Sequence, residues 1–188
     1  MVLSLKDVRS WTVEEYHRMA QLGILAPEER VELIEGQVVP MSPKGPLHSA
    51  TTQCAADYLR VLLAQATVRT QEPIQIGGTS EPEPDITVVR THPRQYADRH
   101  PSAQDVFLVV EVADSSLQYD REQKARIYAR AGLTDYWIID VQERRVFVLR
   151  EPGPEGYGRE DLYPQEASLV PLAFPQVRVR FERLFPPA

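Results

Sequence analysis

Cysteine is almost missing from this chain. Cys54 stands alone, so no intramolecular disulfide can form, and a disulfide-stapled secreted scaffold is excluded. Long apolar runs are missing too. The runs holding Phe107 to Val110 and Trp137 to Ile139 extend to no more than five residues, far short of the ~20 residues a spanning helix needs. Met1 to Ser10 shows no apolar stretch after a basic start, so we expect no secretory leader and a cytoplasmic protein. Cys54 itself lies in an Ala/Leu-rich helical stretch and reads as a small buried hydrophobe. Asparagine is absent, and lysine is confined to Lys6, Lys44 and Lys124. Any chemistry that needs an ammonium group therefore has few candidates. The arginine bias, with 16 prolines, fits a heat-adapted or GC-rich source. Nor is there an excess of positive charge: 21 basic against 27 acidic residues leave a net −6, whereas generic duplex-binding modules are basic.

What is present is ordinary for a globular protein. The 188 residues are 43% hydrophobic and 26% charged, which excludes a largely disordered chain and points to one domain. We expect a single domain over residues 1–188, with a core at about 48–141, an N-terminal helix and hairpin at 12–41, and C-terminal strands at 145–185. No repeat or low-complexity tract interrupts it.

Local signals fill in the order. Thr12 with Glu15 reads as a capping box, with Trp11 and Tyr16 as its hydrophobic staple, opening a helix that stops near Gly23. Arg30 to Met41 reads as a hairpin turning at Glu35-Gly36. His48 to Ala66 carries a helical apolar face through Ala55, Leu59, Leu62 and Leu63. Strand signals follow at Thr67 to Ile76, Asp85 to Arg90 and Val106 to Val112. Tyr119 to Ala131 is helical and closes on Gly132. Tyr136 to Val141 and Arg145 to Arg150 read as a strand and its hairpin partner, Pro152 to Gly158 as a loop, and the tail as short strands broken by proline. The order helix, three strands, helix, strand, with one strand apolar on both faces, predicts an α/β fold built on a mixed sheet.

Chemistry concentrates in a few charged residues. Asp85 follows Pro84 at a strand start, and Glu111 ends the otherwise apolar Phe107-Leu108-Val109-Val110 strand. A buried carboxylate is costly unless partnered, and two carboxylates on neighbouring strands suit a hard cation that also takes waters and phosphate oxygens. Two acids, a divalent ion and a lysine are what phosphodiester hydrolysis needs. Each residue also has a bland reading. Acids at strand ends cap turns, and Lys124 could pair with Asp120 one helical turn earlier.

Taken together, Pro84-Asp85, Glu111-Val112, Asp120, Lys124, Tyr128, Gly132 and the run from Tyr136 to Asp140 resemble the PD-(D/E)xK nuclease superfamily, in its Uma-two restriction-endonuclease branch. The hairpin Val31 to Gly36 and His48 match that branch as well, so the resemblance spans residues 15–150. It implies a restriction-endonuclease-like core. It implies metal binding by Asp85, Glu111 and Glu32, with Mg²⁺ or Mn²⁺ as cofactor. In the superfamily pattern a lysine sits two residues after the glutamate, where this chain has Ala113. In the branch the lysine moves to the following helix, here Lys124. A flexible stem lets its charge reach the same place. His48 would contact phosphate or relay a proton. Gln71 is a weaker candidate, Asp120 reads as structural, and Tyr128 as core or site. Asp114-Ser115-Ser116 departs from the branch's Ser-Pro-Ser turn.

Two functions follow. One is a metal-dependent endonuclease hydrolysing DNA phosphodiester bonds, working as a homodimer, with Arg121, Arg126, Arg130, Arg144, Arg145 and Arg150 as a local basic patch. The other is a catalytically silent nuclease fold used for binding or regulation. Retention of Glu32, Asp85, Glu111 and Lys124 together favours the first. RNA or a nucleotide as substrate is not separable from DNA at this level.

Overall fold

The computed structural model describes residues 8–26 and 28–187. Lys6 and most of the stretch searched for a leader lie outside the described residues. Helix α1 (Val13–Gln21) opens with the predicted capping box: Thr12 Oγ1 accepts from the Glu15 amide, and the Glu15 side chain accepts from the Thr12 amide. Strands β1 (Val31–Ile34) and β2 (Gln37–Pro40) form the predicted hairpin. Its two-residue turn places Glu35 at φ +46° and Gly36 at φ +79°, the backbone a tight hairpin twist demands. A Cβ at Gly36 would collide with Ser10.

Helix α2 (Pro46–Leu62) starts on a proline, whose missing N–H costs nothing in a first turn. Strands β3 (Thr67–Thr70), β4 (Ile86–Val89), β5 (Val106–Ala113), β6 (Asp135–Asp140), β7 (Arg145–Gly153) and β8 (Gly156–Pro164) lie side by side in that order as one six-stranded sheet. Only β5 and β6 run parallel; the other neighbours are antiparallel. The β5–β6 crossover is one continuous helical stretch. It comprises α3 (Leu117–Tyr119), a π-helical turn (Asp120–Lys124) and α4 (Ala125–Arg130). It ends on Gly132 at φ +75°. There Leu133 N–H reaches Tyr128 C=O and Gly132 N–H reaches Ala129 C=O, which is a Schellman cap. The α/β mixed-sheet expectation therefore holds.

The sheet is coated on both faces. Ala55, Ala56 and Leu59 from α2 and Leu63 at its C-cap pack with Leu108, Val110 and Val112 of β5, with Trp137 and Ile139 of β6, and with Phe174, Phe181 and Leu184 from the C-terminal segment. On the other face Ala125, Ile127 and Tyr128 pack against Val109, Ala113, Tyr136, Ile138 and Phe147, with Ile34 of the hairpin. Strand alternation thus points Glu111 toward the α3–α4 side.

Three expectations need correction. Residues 152–158 are no loop. β7 runs on to Gly153 and pairs with β8, through a turn at Pro154-Glu155. β8 is the sheet edge and largely exposed, so it carries no apolar alternation for a sequence reading to find. The strand signal from Thr67 also stops at Thr70. Gln71 turns at φ +55°, and Pro73 has no amide to donate. Cys54, read as buried, is half-buried.

Candidate active site

The antiparallel β4–β5 pairing aligns Ile86 with Val110. One step further on, Asp85 meets Glu111. Asp85 N–H donates to Glu111 Oε2 at 3.3 Å, and Val112 N–H donates to Asp85 Oδ2 at 3.0 Å. Each acid is thus held by backbone from the other's strand, and both are buried. They lie at the edge of a cleft of about 400 Å³, beyond the carboxyl end of β5, where open α/β sheets carry their sites.

Lys124 arrives from the crossover helix. Its Nζ donates to Glu111 Oε1 at 3.0 Å and stands 3.8 Å from Glu32 Oε1. The π-helical turn places it there. Ala125 N–H reaches back to Asp120 C=O, five residues on, as well as to Glu122 C=O. The wider turn sets both Asp120 and Lys124 inward while Arg121, Glu122 and Gln123 stay exposed. Such turns recur at functional sites. Tyr128 settles between its two readings by serving both: it is fully buried, and its hydroxyl donates to Glu111 Oε1 at 2.8 Å. Glu32, on β1, accepts the Glu83 N–H through Oε2 at 3.1 Å.

His48, at the start of α2, sets Nε2 3.1 Å from Asp85 Oδ1. Lys44 was not anticipated. It sits in the Pro43 to Pro46 loop and brings Nζ to 3.5 Å from the same oxygen. Neither nitrogen has a well-formed hydrogen bond. Glu83 and Tyr119 also line the cleft unannounced. The signal for Lys44 was its rarity: of three lysines, two converge here. Asp120 is buried inside the helical stretch, where it accepts from Ser116 Oγ at 2.6 Å. It lines the cleft. Gln71 contributes only a backbone N–H to Asp85 C=O at 3.1 Å.

Electrostatics explain why the cluster is unusual. Burial pushes the Asp85, Glu111, Glu32 and Glu83 carboxyls up. Asp120 is pushed up to about 7, by burial first and then by Glu111. Burial alone would lower the Lys124 ammonium, but Glu111, Glu32 and Asp120 outweigh it and hold it above the ordinary lysine value. Lys44 is lowered by burial, against the pull of Asp85, and His48 is lowered by burial and by Lys44. The cleft therefore holds more acid than its two lysines can balance.

The donor set fits a hard divalent cation. Magnesium typically uses one or two carboxylates and completes its shell with water and phosphate oxygens. Glu32 does not close with Asp85 and Glu111 to common ligand spacing; it stands beside Lys124 instead.

Five of the six arginines of the expected patch are engaged within the fold, and Arg126 is exposed. Arg121 pairs with Glu160, Arg130 with Glu35, Arg145 with Asp140 and Arg150 with Asp135. Arg144 bonds Gln165 and the Pro186 carbonyl.

Sheet order, crossover and interlocked acids define a restriction-endonuclease-like α/β protein. A family model described as "Uma2: Putative restriction endonuclease" matches residues 13–182, and the chain belongs to this family. No curated protein matches it. Among solved structures it is similar to one described as a "putative nuclease belonging to DUF820" from Anabaena variabilis. The TM-score is 0.72 at 19% identity, covering 93% of this chain and 97% of that one.

Proposed function

We propose that the protein is a metal-dependent endonuclease that hydrolyses DNA phosphodiester bonds with Mg²⁺ or Mn²⁺. The observation that carries this is the interlock of Asp85 and Glu111 with Lys124 at the edge of an open cleft. A hard dication held by the two carboxylates would supply Lewis acidity toward the phosphodiester oxygens. Everything else falls to the chain. Lys124 pulls Glu111 toward its ionised form against burial and orients it, and Tyr128 fixes the same oxygen from the other side. Lys44, with donors unspent beside Asp85, is the group to meet a phosphate oxygen. His48, lowered by burial, is neutral at neutral pH and can take a proton from the attacking water. Glu32 keeps Lys124 in place and is a further metal contact if the cleft tightens around substrate.

A homodimer in the cytoplasm is part of the proposal: two copies would present two clefts to the two strands. The paired arginines favour a second reading, a silent nuclease fold that binds a partner. Isothermal titration of Mg²⁺ and Mn²⁺, followed by plasmid nicking, separates the two. Binding and nicking should both be lost in Asp85→Ala/Glu111→Ala, and nicking in Lys124→Ala. No metal binding at millimolar ion in the wild-type protein would overturn the nuclease reading. Sedimentation of the intact protein tests the dimer.

A further inference from the structure

A second cluster of ligating side chains lies outside the cleft. His17 on α1, Glu81 in the segment leading to β4, and His100 in the loop before β5 each offer one ligand atom, all within 4.8 Å of one another. His17 Nε2 lies 2.7 Å from Glu81 Oε1. The two imidazole rings are 6.2 Å apart, centroid to centroid, in an edge-on arrangement. Glu81 is buried, and its other oxygen, Oε2, is sealed from solvent without a hydrogen-bond partner. A buried carboxylate oxygen left without a donor is costly, and here it belongs to the one acid of the cluster.

The backbone under the three residues is fixed. Glu81 N–H donates to Leu33 C=O at 2.7 Å, Gln75 N–H to the carbonyl of Pro101, next to His100, at 2.8 Å, and Val13 N–H to Gly78 C=O at 2.9 Å. Helix α1 meanwhile has little apolar anchorage: Val13 is its only buried residue. Polar contacts hold it instead: the Tyr16 hydroxyl donates to Val31 C=O of β1 at 3.0 Å, and His17 meets Glu81.

We propose that His17, Glu81 and His100 form a site for a borderline transition-metal ion of the zinc class, distinct from the hard-cation site at Asp85 and Glu111. Two imidazoles and one carboxylate suit zinc far better than magnesium. Ligand atoms around tetrahedral zinc lie roughly 3.3 Å apart, given bond lengths near 2.0–2.1 Å, so the His17–Glu81 pair, at 2.7 Å, must open slightly and His100 draw in. The half-exposed His17 ring can supply the opening. Three protein ligands leave a fourth position for water. The ion would tie α1 to the segment that carries Glu83 and Asp85, acting as a staple.

The test uses tag-free, full-length protein and Zn²⁺ or Co²⁺ alone. One zinc per chain should bind at micromolar or tighter. Affinity should fall at least tenfold in His17→Gln and in His100→Gln, and stay unchanged in Asp85→Asn/Glu111→Gln. Zinc a hundredfold above Kd should raise Tm by about 5–10 °C. X-ray absorption of the zinc-loaded wild type needs no variant and should show two imidazoles in the shell, whereas the cleft offers only His48. No stoichiometric zinc, a shell with fewer than two imidazoles, or zinc binding abolished in Asp85→Asn/Glu111→Gln would overturn the proposal. Its fate is independent of the nuclease reading, which is scored by magnesium titration and nicking.

Discussion

Lys124 is the residue on which the cleft depends most, because it faces a carboxylate that is almost wholly buried. Removing one partner of a buried pair costs about 3–5 kcal/mol. Lys124→Met should lower the unfolding free energy by that amount at pH 8, and by less at pH 5, where Glu111 can take a proton instead. Urea denaturation at the two pH values checks this. Tyr128→Phe removes a single hydrogen bond to the same carboxylate and should cost about 1.5–3 kcal/mol. Asp120 gives the pH dependence its sign. Its carboxyl sits near 7 in the fold against an ordinary value near 4. Between those values the folded state binds more protons than the unfolded state, so stability falls as pH rises. Asp120→Asn should flatten that slope. It should leave Tm nearly unchanged at pH 4 and raise it at pH 8, by about 2–4 °C for each kcal/mol of relief.

At the scale of elements, the hairpin that carries Glu32 hangs on Gly36. A side chain there meets both an unfavourable φ and Ser10. Gly36→Ala should cost about 1–3 kcal/mol, read as a lowered urea midpoint. Capping box, hairpin turn and C-cap glycine were legible in the sequence because each is local chemistry with a fixed spacing. The acids were legible because a carboxylate in a fully apolar strand has no cheap explanation, and Lys124 because a family resemblance placed it. Lys44 sat in a Pro-Lys-Gly-Pro loop with no periodicity, its rarity the one signal, and the tertiary approach of α2 to β4 is what gives it a place in the cleft. The π-helical turn was equally hidden, since its residues are good ordinary helix formers. β8 escaped because an exposed edge strand has no buried face to imprint alternation.

Across the whole molecule, charge is arranged to cancel. With a net −6 and four arginines around the crossover tied to acids, the chain offers no excess of cation to a phosphate backbone. Binding to a duplex should therefore show a shallow salt dependence, with a log–log slope of magnitude below about 3, measured by fluorescence anisotropy in Ca²⁺ to block cutting. The source of the lysine has a kinetic consequence as well. Asp85 and Glu111 meet as soon as β4 and β5 pair, a closure of 26 residues. Their ammonium partner comes only when the crossover helix docks. In a refolding order where the β4–β5 pair forms first, the two acids face each other before the Lys124 ammonium arrives, with Lys44 reaching only Asp85, and protonation of Glu111 relieves them in that interval. Stopped-flow refolding should accordingly be faster at pH 5 than at pH 8, and Asp85→Asn should refold at the faster rate at both.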